Sequence, residues 1–347
     1  MAEQRDINII LSNPIDWEKF RSKTVLVTGA TGRLGMYIVE ALIKADIDWN
    51  LNTTIIAHAR NGQKLREVFG ASLNLPNVRT LVQDITEPMR WDGDIHCIFH
   101  TAGAASPRDF TDAPVDTLWG HLQGTRNVLE LARKKKCGRI LYVSTVETYG
   151  EWKSEEPVRE EDMGPLRCDN ARACYPEAKR MCETMLASYE AQYGLRCVGV
   201  RLCHTFGPGI SLDDGRAFSE FIRNVTKGED IVLQTDGSAV RTYTYVADAV
   251  GAMLLAFTKG KEHYYNVANP DNLISIRDLA ELIAGLDPKG KVKVRYAERE
   301  GQRLSYLPFK LGIMNVDRIM ELGWHPQVGL EDAFRYTLES FLQRPVS

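Results

Sequence analysis

A tyrosine and a lysine in the middle of the chain have the types and spacing of an acid/base pair. Tyr175 and Lys179 are four residues apart, so a helix would place both side chains on one face. A phenol with a pKa of about 10 is a poor base at neutral pH, whereas a neighbouring ammonium group favours the phenolate. An exposed helix pair without a chemical role is the alternative. We interpret the two residues as a catalytic pair in which the tyrosine transfers a proton.

Thr145 supplies a third group for this chemistry. It follows the apolar run 139–144, which has the composition of a buried strand. Within reach of Tyr175, its hydroxyl would hydrogen-bond the substrate oxygen and share the proton. A strand hydroxyl with no chemical role is the alternative. The sequence therefore predicts a Thr145, Tyr175 and Lys179 constellation of the oxidoreductase type.

A glycine-rich turn near the start of the chain predicts the cofactor. Three glycines at intervals of three residues follow the β-branched run 24–28 and open a segment with helical periodicity. The first glycine makes the tight turn, the second lets the backbone approach a pyrophosphate, and the third lets the helix pack on the strand. The helix N-terminus then offers N–H groups to the phosphates. The residues predicted to bind a dinucleotide here are Gly29, Thr31, Gly32, Arg33, Leu34 and Gly35.

The next strand should end at the residue that contacts the adenosine ribose. An acidic residue at this point binds the free 2′-hydroxyl of NAD, but the segment 53–60 ends in Arg60. A guanidinium group suits the 2′-phosphate of NADP, so the sequence favours NADP over NAD. Stacking of Arg60 on the adenine without selection of a phosphate is the alternative. Asp84 and Ile85 end the following strand and are predicted to contact the adenine edge.

Strands and helices that would position these groups alternate along the chain. Strands are predicted at the apolar runs 24–28, 53–57, 79–82, 95–99, 139–144 and 196–202. Beyond these, shorter strands are predicted at 231–234, 264–267 and 292–296. Helices are predicted at the periodic segments 34–45, 121–136, 216–227 and 275–286. The alternation indicates an α/β protein with a doubly wound parallel sheet of the Rossmann type and a smaller mixed α/β lobe.

The predicted domain organisation has three parts. Residues 1–20 form an N-terminal extension, residues 21–200 a dinucleotide-binding domain, and residues 201–347 the smaller lobe that binds the substrate. A return to the main sheet is predicted for segments from about 239–268. The acidic run 151–162 has neither helical nor strand periodicity and is predicted to be a solvated loop.

Composition argues against several functional classes. The chain of 347 residues has a net charge of −3, which is not the basic footprint of a nucleic-acid-binding protein. Its apolar runs are too short for a membrane span and its N-terminus is charged, so a cytoplasmic location is predicted. The seven cysteines have no metal-binding spacing and are expected to be buried reduced thiols. His96 and His100 are predicted to belong to the core, and no metal site is predicted.

Taken together, these motifs resemble those of the extended short-chain dehydrogenase/reductases that act on nucleotide sugars. The resemblance covers about residues 22–345. It rests on the segments 28–35, 84–85, 144–150, 175–179, 201–208, 236–241, 245–248 and 322–326. It implies an enzyme of polysaccharide biosynthesis that forms a homodimer through the helices at 121–136 and 175–192.

The resemblance also implies roles for the candidate residues. Tyr175 would deprotonate the C4 hydroxyl of the sugar while hydride passes to the nicotinamide. Lys179 would bind the nicotinamide ribose and lower the tyrosine pKa. The smaller lobe would bind the nucleotide diphosphate, and its matching residues are His204, Arg241 and Arg303.

Glu147 and Arg216 bear on the step that follows oxidation at C4. Glu147 is similar to a glutamate of the 4,6-dehydratases and UDP-glucuronate decarboxylases, and Arg216 lies in a segment that resembles the decarboxylase one, whose arginine faces the sugar carboxylate. An arginine fork suits a carboxylate, and a buried glutamate suits proton transfer at C5. A surface arginine and a hydrogen-bonded scaffold carboxylate are the alternatives.

Three positions depart from the family pattern and bear on the reaction. Val146 stands where decarboxylases have serine and hexose dehydratases often have aspartate, and His121 and His204 replace asparagines. We predict a redox-neutral enzyme that works through a 4-keto intermediate, of the decarboxylase or 4,6-dehydratase type. The alternatives are a 4-epimerase, an NADPH-dependent keto-sugar reductase and a non-catalytic dinucleotide-sensing protein.

Overall fold

The computed structural model describes residues 2–297 and 311–342. The strands within these ranges are β1 Thr24–Thr28, β2 Thr54–Ala59, β3 Val78–Val82, β4 Cys97–His100, β5 Arg139–Thr145, β6 Cys197–Leu202, β7 His204–Phe206, β8 Ile231–Leu233, β9 Val240–Tyr245, β10 Tyr264–Val267, β11 Leu273–Ser275 and β12 Val294–Tyr296. The α-helices are α1 Gln4–Leu11, α2 Arg33–Trp49, α3 Gly62–Phe69, α4 Pro107–Asp112, α5 Pro114–Lys134, α6 Cys174–Tyr193, α7 Ala217–Lys227, α8 Val246–Lys259, α9 Ile276–Gly285, α10 Asp317–Met320 and α11 Leu330–Leu342.

The strands and helices predicted from the sequence are confirmed. Their ends differ most at α5, which begins at Pro114 rather than at residue 121. Proline is favoured in the first turn of a helix because its missing N–H would have no partner there. The first turn contains polar residues and lacks the apolar periodicity on which the predicted start of the helix was based.

Seven strands form one parallel sheet in the order β3-β2-β1-β4-β5-β6-β10. From β1 the chain builds outward to β3 on one side, then returns to β4 on the other side. This reversal opens a crevice between the carboxyl ends of β1 and β4, which is where doubly wound folds bind ligands. The predicted fold class is therefore confirmed.

Helices cover both faces of this sheet. Val25 and Val27 of β1 belong to one core cluster, which includes residues of α2 and α8. Leu26, between them, belongs to a second cluster with residues of α5 and α6. Successive strand residues point to opposite faces, so burial on both faces explains why these strands are continuous apolar runs in the sequence.

The smaller lobe follows β6. It contains the three-stranded sheet β11-β9-β7, the strand pair β12-β8 and the helices α7, α9 and α11. Strand β10 returns to the edge of the large sheet and pairs with β6. The division of the chain at residues 20 and 200 stays a prediction.

A buried carboxylate joins α1 to both sheets. Asp6 is fully buried, the Tyr37 hydroxyl donates to its Oδ2 at 2.7 Å, and the Tyr245 hydroxyl donates to its Oδ1 at 2.9 Å. Tyr37 lies in α2, which packs on the large sheet, and Tyr245 ends β9 of the smaller sheet. The first helix thus links α2 to β9 of the smaller sheet.

Candidate active site

The turn after β1 has the shape that a phosphate requires. Gly29 has a φ of 67°, and a Cβ at this residue would lie 2.7 Å from the Cα of Ala102. A Cβ on Gly35 would lie 2.5 Å from the carbonyl oxygen of Gly29. Gly32 precedes α2 and provides no side-chain cap, so the first N–H groups of the helix keep their capacity to bind an anion. This backbone fits the pyrophosphate of a dinucleotide.

The side chain of Arg33 extends from this turn toward the smaller lobe. Its Nη2 donates to the carbonyl oxygen of Thr205 in β7 at 2.6 Å, and its Nε is buried without a hydrogen-bond partner. Burial lowers the pKa of Arg33 to about 10, and the nearby Arg216 contributes to the shift. Thr31 and Leu34, on the same turn, are half-buried. The turn thus combines free N–H groups with a cation that retains a free donor.

Arg60 and Asp84 lie next to each other at the carboxyl ends of β2 and β3. Arg60 is exposed, and Asp84 accepts hydrogen bonds from the backbone and the hydroxyl of Thr86 at 2.9 and 2.7 Å. These bonds hold the pKa of Asp84 below its usual value, and Arg60 adds to the effect. Ile85 packs toward Gly124 of α5. The predicted adenosine contacts are therefore grouped on one side of the glycine turn.

Thr145, Tyr175 and Lys179 come together at the carboxyl end of β5. Tyr175 and Lys179 lie in the first turns of α6 and are buried, with exposed fractions of 8% and 6%. Thr145 ends β5, and its hydroxyl lies close enough to the Tyr175 phenol to lower the pKa of that phenol. The Lys179 Nζ donates to the carbonyl oxygen of Val143 at 2.7 Å and lies 5.8 Å from the centroid of the Tyr175 ring. The alternative of an exposed helix pair is wrong.

Burial shifts the pKa values of the tyrosine and the lysine in opposite directions. It raises the pKa of Tyr175 to about 12, with a further contribution from the charge of Glu147 and an opposing one from the Thr145 hydrogen bond. It lowers the pKa of Lys179 to about 8, because the ammonium group has lost its water. The Tyr175 phenol is therefore protonated at neutral pH in this environment. A positive charge brought by a ligand or cofactor would favour its ionised form.

Glu147 forms a partly buried ion pair with Arg172, a residue that was not predicted from the sequence. Glu147 lies in a 3-10 turn directly after β5, and its carboxylate is 3.0 Å from Nη2 of Arg172. The exposed fraction is 13% for both side chains. Burial raises the pKa of Glu147, against the effect of Arg172. Arg172 is three residues before Tyr175 in the sequence, and this spacing was the one indication that it lies near the catalytic tyrosine.

Phe110 of α4 covers the catalytic tyrosine and was also missed. Its ring stacks on the Tyr175 ring with centroids 4.2 Å apart and an interplanar angle of 15°. The Arg172 guanidinium carbon lies 4.7 Å from the centroid of the same ring. A single aromatic residue in a polar segment carries no sequence signal for such a contact.

Arg216 and Asp214 lie on the smaller-lobe side of the crevice. Nη1 of Arg216 is 2.6 Å from Oδ2 of Asp214, and its Nη2 donates to the carbonyl oxygen of Ala105. Asp214 is buried, whereas the Arg216 side chain is 26% exposed. Both terminal nitrogens of the predicted carboxylate-binding arginine are therefore already engaged by the protein.

His204 and Arg241 line a small cavity next to these residues. The cavity is formed by Val146, Cys203, His204, Val240, Arg241, Thr242, Leu311, Gly312, Ile313 and Met314. Burial lowers the pKa of His204 to about 3, and the neighbouring Arg241 and Arg216 add to the shift. His204 is therefore neutral among cations that suit a diphosphate. The remaining predicted contact, Arg303, lies outside the described residues.

Three histidines named in the sequence analysis make contacts with the protein, and the His121 ring lies 5.5 Å from the Tyr175 ring between centroids. Nε2 of His121 donates to the carbonyl oxygen of Ala104 at 2.9 Å. His100 is buried between two threonine hydroxyls, and His96 accepts a hydrogen bond from the backbone of Thr24. Every cysteine is free. The expectation of buried thiols is wrong for Cys168, which is exposed, and is met only in part by Cys197 and Cys203, which are half-buried.

Within the described ranges, no cluster of three or more histidine, cysteine, aspartate or glutamate residues could hold a metal ion. No helix in the same ranges is long and apolar enough to cross a membrane.

Comparison with known proteins is consistent with this geometry. The family model described as the NAD dependent epimerase/dehydratase family matches residues 25–268. The UDP-glucuronic acid decarboxylase 6 of Arabidopsis thaliana is 30% identical over 340 residues, which cover 96% of this chain and 94% of the relative.

Solved structures show the same fold over nearly the whole chain. The UDP-glucose 4-epimerase of Thermus thermophilus in complex with NAD has a TM-score of 0.73 at 25% identity, and the match covers 92% of this chain and 99% of that one. The dTDP-glucose 4,6-dehydratase DesIV of Streptomyces venezuelae, with NAD bound, has a TM-score of 0.75 at 22% identity, with coverages of 92% and 96%.

Proposed function

The chain belongs to the NAD-dependent epimerase/dehydratase family, and we propose that it converts a nucleotide-diphosphate sugar through a 4-keto intermediate in a redox-neutral reaction. One observation carries the proposal: the buried Tyr175, Lys179 and Thr145 share their crevice with the carboxylate of Glu147, whose side chain is only 13% exposed. Oxidation at C4 does not need this carboxylate, whereas a further step at C5 does. Decarboxylation and 4,6-dehydration are the reactions that best suit it, and the decarboxylases among the relatives favour the first.

The crevice fits a nicotinamide dinucleotide. The free N–H groups of the glycine turn would hold the pyrophosphate, Arg60 and Asp84 would lie at the adenosine half, and Lys179 would bind the nicotinamide ribose. When bound, the cofactor supplies a hydride acceptor for C4 and returns the hydride later. The family and the NAD bound in two of the similar solved structures support this cofactor class.

Each catalytic side chain has a separate task. Tyr175 accepts the proton of the C4 hydroxyl, and Thr145 hydrogen-bonds the same oxygen. The ammonium group of Lys179, which lies on the same helix, favours the phenolate during this step. At C5, Glu147 takes the proton in a 4,6-dehydration. In a decarboxylation it gives a proton to the carbon that carbon dioxide has left. A carboxyl group with a raised pKa suits either transfer.

The nucleotide half of the substrate would lie against the smaller lobe. His204 and Arg241 face one cavity, and Arg33 and Arg216 lie beside it. These cations, together with a neutral imidazole, suit a diphosphate. The resemblance adds Arg303 to this group.

Two other reactions use the same initial oxidation or its reverse. A 4-epimerase would re-reduce the ketone on the opposite face and would have no task for Glu147. An NADPH-dependent reductase would also leave Glu147 without a task, although Arg60 would suit its cofactor. A non-catalytic sensing protein would not need the buried Tyr175 and Lys179 pair.

Mass spectrometry after incubation with a panel of nucleotide sugars distinguishes these reactions. The proposal predicts loss of carbon dioxide from a nucleotide uronic acid, or loss of water from a nucleotide hexose, without added reductant. Unchanged mass with inverted configuration at C4 would indicate an epimerase. Conversion that occurs only with stoichiometric NADPH would indicate the reductase.

Arg60→Glu is expected to change the cofactor preference from NADP toward NAD. A carboxylate repels the 2′-phosphate and accepts a hydrogen bond from the free ribose hydroxyl. Titration of the wild type and the variant with both cofactors measures the ratio of the two dissociation constants. Lys64→Glu, an equal charge change at an exposed residue of α3, is the control. A wild type that already prefers NAD would contradict the role of Arg60 and leave only its stacking on the adenine.

We also propose a homodimer formed through α5 and α6, in the cytoplasm and in polysaccharide biosynthesis. These two helices pack against each other. Val115 and Trp119 on α5 are 66% and 59% exposed, and Met181 on α6 is 52% exposed. Large apolar side chains exposed on two neighbouring helices are typical of an interface. The location and the biosynthetic role rest on the resemblance.

A further inference from the structure

Arg172 is held in the crevice by the segment that leads into α6. It lies in the 3-10 turn Ala171–Ala173, and the side chain of Asn170 caps this turn by accepting a hydrogen bond from the Arg172 N–H at 2.9 Å. The Arg172 side chain is 13% exposed. Its guanidinium group is therefore fixed among the catalytic residues and is not a solvated surface charge.

The ion pair between Arg172 and Glu147 leaves one guanidinium nitrogen of Arg172 unused. Nη2 of Arg172 is 3.0 Å from the carboxylate of Glu147. Nη1 of Arg172 is buried and has no hydrogen-bond partner. Buried N–H groups in folded proteins nearly always have a partner. Nη1 is therefore available to an acceptor that a ligand brings.

The neighbours of Arg172 define where this acceptor would lie. The Phe110 ring contacts both the Arg172 guanidinium group, at 4.7 Å from the centroid, and the Tyr175 ring, at 4.2 Å between centroids. In a hexopyranose, C6 is joined to C5, which is bonded to C4. A side chain that contacts C6 must therefore lie beside the one that takes the proton from the C4 hydroxyl, as Arg172 lies beside Tyr175.

The other guanidinium group on this side of the crevice is less available. Both terminal nitrogens of Arg216 already donate to the protein, one to Asp214 and one to the carbonyl oxygen of Ala105. A sugar carboxylate would have to displace the buried Asp214, which carries the same charge. Nη1 of Arg172 requires no such exchange.

Building on the proposed function, we propose that Arg172 selects a nucleotide uronic acid over a nucleotide hexose by donating Nη1 to the C6 carboxylate. Nη2 simultaneously keeps Glu147 beside Tyr175. A charge-assisted bond to a carboxylate is stronger than a bond to the neutral C6 hydroxyl of a hexose, so the selection follows from the charge of the acceptor.

Equilibrium binding of UDP-glucuronic acid and UDP-glucose, which differ only at C6, tests the inference by calorimetry. Arg172→Gln is expected to weaken binding of UDP-glucuronic acid by about 30-fold or more, and binding of UDP-glucose by less than about threefold. Arg172→Lys, which retains the charge without the fork, should lie between the wild type and Arg172→Gln. Arg167→Gln is the control, because Arg167 is exposed and pairs with the exposed Asp169.

A double variant separates carboxylate binding from support of Glu147. Arg172→Gln with Glu147→Gln leaves no unpaired buried charge, and it should show the same loss of preference for UDP-glucuronic acid. Two results would overturn the inference, because each would indicate a purely structural role for Arg172. One is a double variant that again prefers UDP-glucuronic acid. The other is an equal loss of affinity for both nucleotide sugars in Arg172→Gln. Wild-type protein that binds neither nucleotide sugar would instead contradict the proposed function itself.

Discussion

Tyr175→Phe is expected to lower turnover of the nucleotide sugar by about 10²–10⁴-fold, the range in which general acid/base groups contribute. The substitution keeps the ring that stacks on Phe110 and removes only the hydroxyl beside Thr145. Binding of the sugar nucleotide should therefore change by less than about threefold. Steady-state kinetics together with calorimetry separate the two effects.

A second tyrosine of the same helix provides the control for this experiment. The Tyr189 hydroxyl donates to Glu130 at 2.7 Å, on a half-buried part of α6 remote in sequence from the catalytic end. Tyr189→Phe removes one hydrogen bond and should retain near-wild-type turnover. Near-wild-type turnover in Tyr175→Phe would remove the proton-transfer mechanism.

Glu147→Gln is expected to stop the reaction after the first hydride transfer. The amide keeps the shape of the side chain but neither takes nor gives a proton at C5. A 4-keto hexose then cannot lose water. A 4-keto uronic acid that loses carbon dioxide leaves an enolate that is not protonated at C5, so no C4 ketone forms for the hydride to reduce. Absorbance of the reduced nicotinamide should rise on addition of substrate, to an amount close to that of the enzyme, and should then persist. Overall turnover should fall by about 10²-fold or more.

An exposed glutamate gives the matched control for this charge change. Glu156 lies on the acidic loop after Glu147. The Glu156→Gln enzyme should turn over at the wild-type rate without accumulation of reduced nicotinamide. Unchanged turnover in Glu147→Gln would mean that Glu147 is a scaffold carboxylate. Loss of the first hydride transfer would mean that it positions Tyr175 and does not act at C5.

The parts of the fold and site that local chemistry determines could be predicted. The glycine turn requires three glycines within seven positions, and Gly29 and Gly35 are packed too closely to accept a side chain. Strands buried on both faces are apolar without interruption, which made the parallel sheet recognisable. Tyr175 and Lys179 are about one helical turn apart, so their proximity follows from α6 alone.

The contacts that join distant segments could not be predicted in the same way. The pair of Arg172 and Glu147 depends on how the loop between β5 and α6 returns to the sheet, and no periodicity describes that loop. Phe110 reaches Tyr175 only because α4 folds over the crevice. Asp214, two residues before Arg216, was visible in the sequence, but its ion pair with Arg216 became clear only from the structure.

The central claim is a redox-neutral reaction in which the hydrogen removed from C4 returns to the sugar. Incubation of the wild type with UDP-glucuronic acid carrying deuterium at C4, followed by mass spectrometry of the nucleotide sugar, tests this claim most directly. We predict a product that has lost carbon dioxide and has kept the deuterium, with no net change in the amount of reduced nicotinamide. A product without deuterium, or reduced nicotinamide formed in proportion to the substrate consumed, would contradict it.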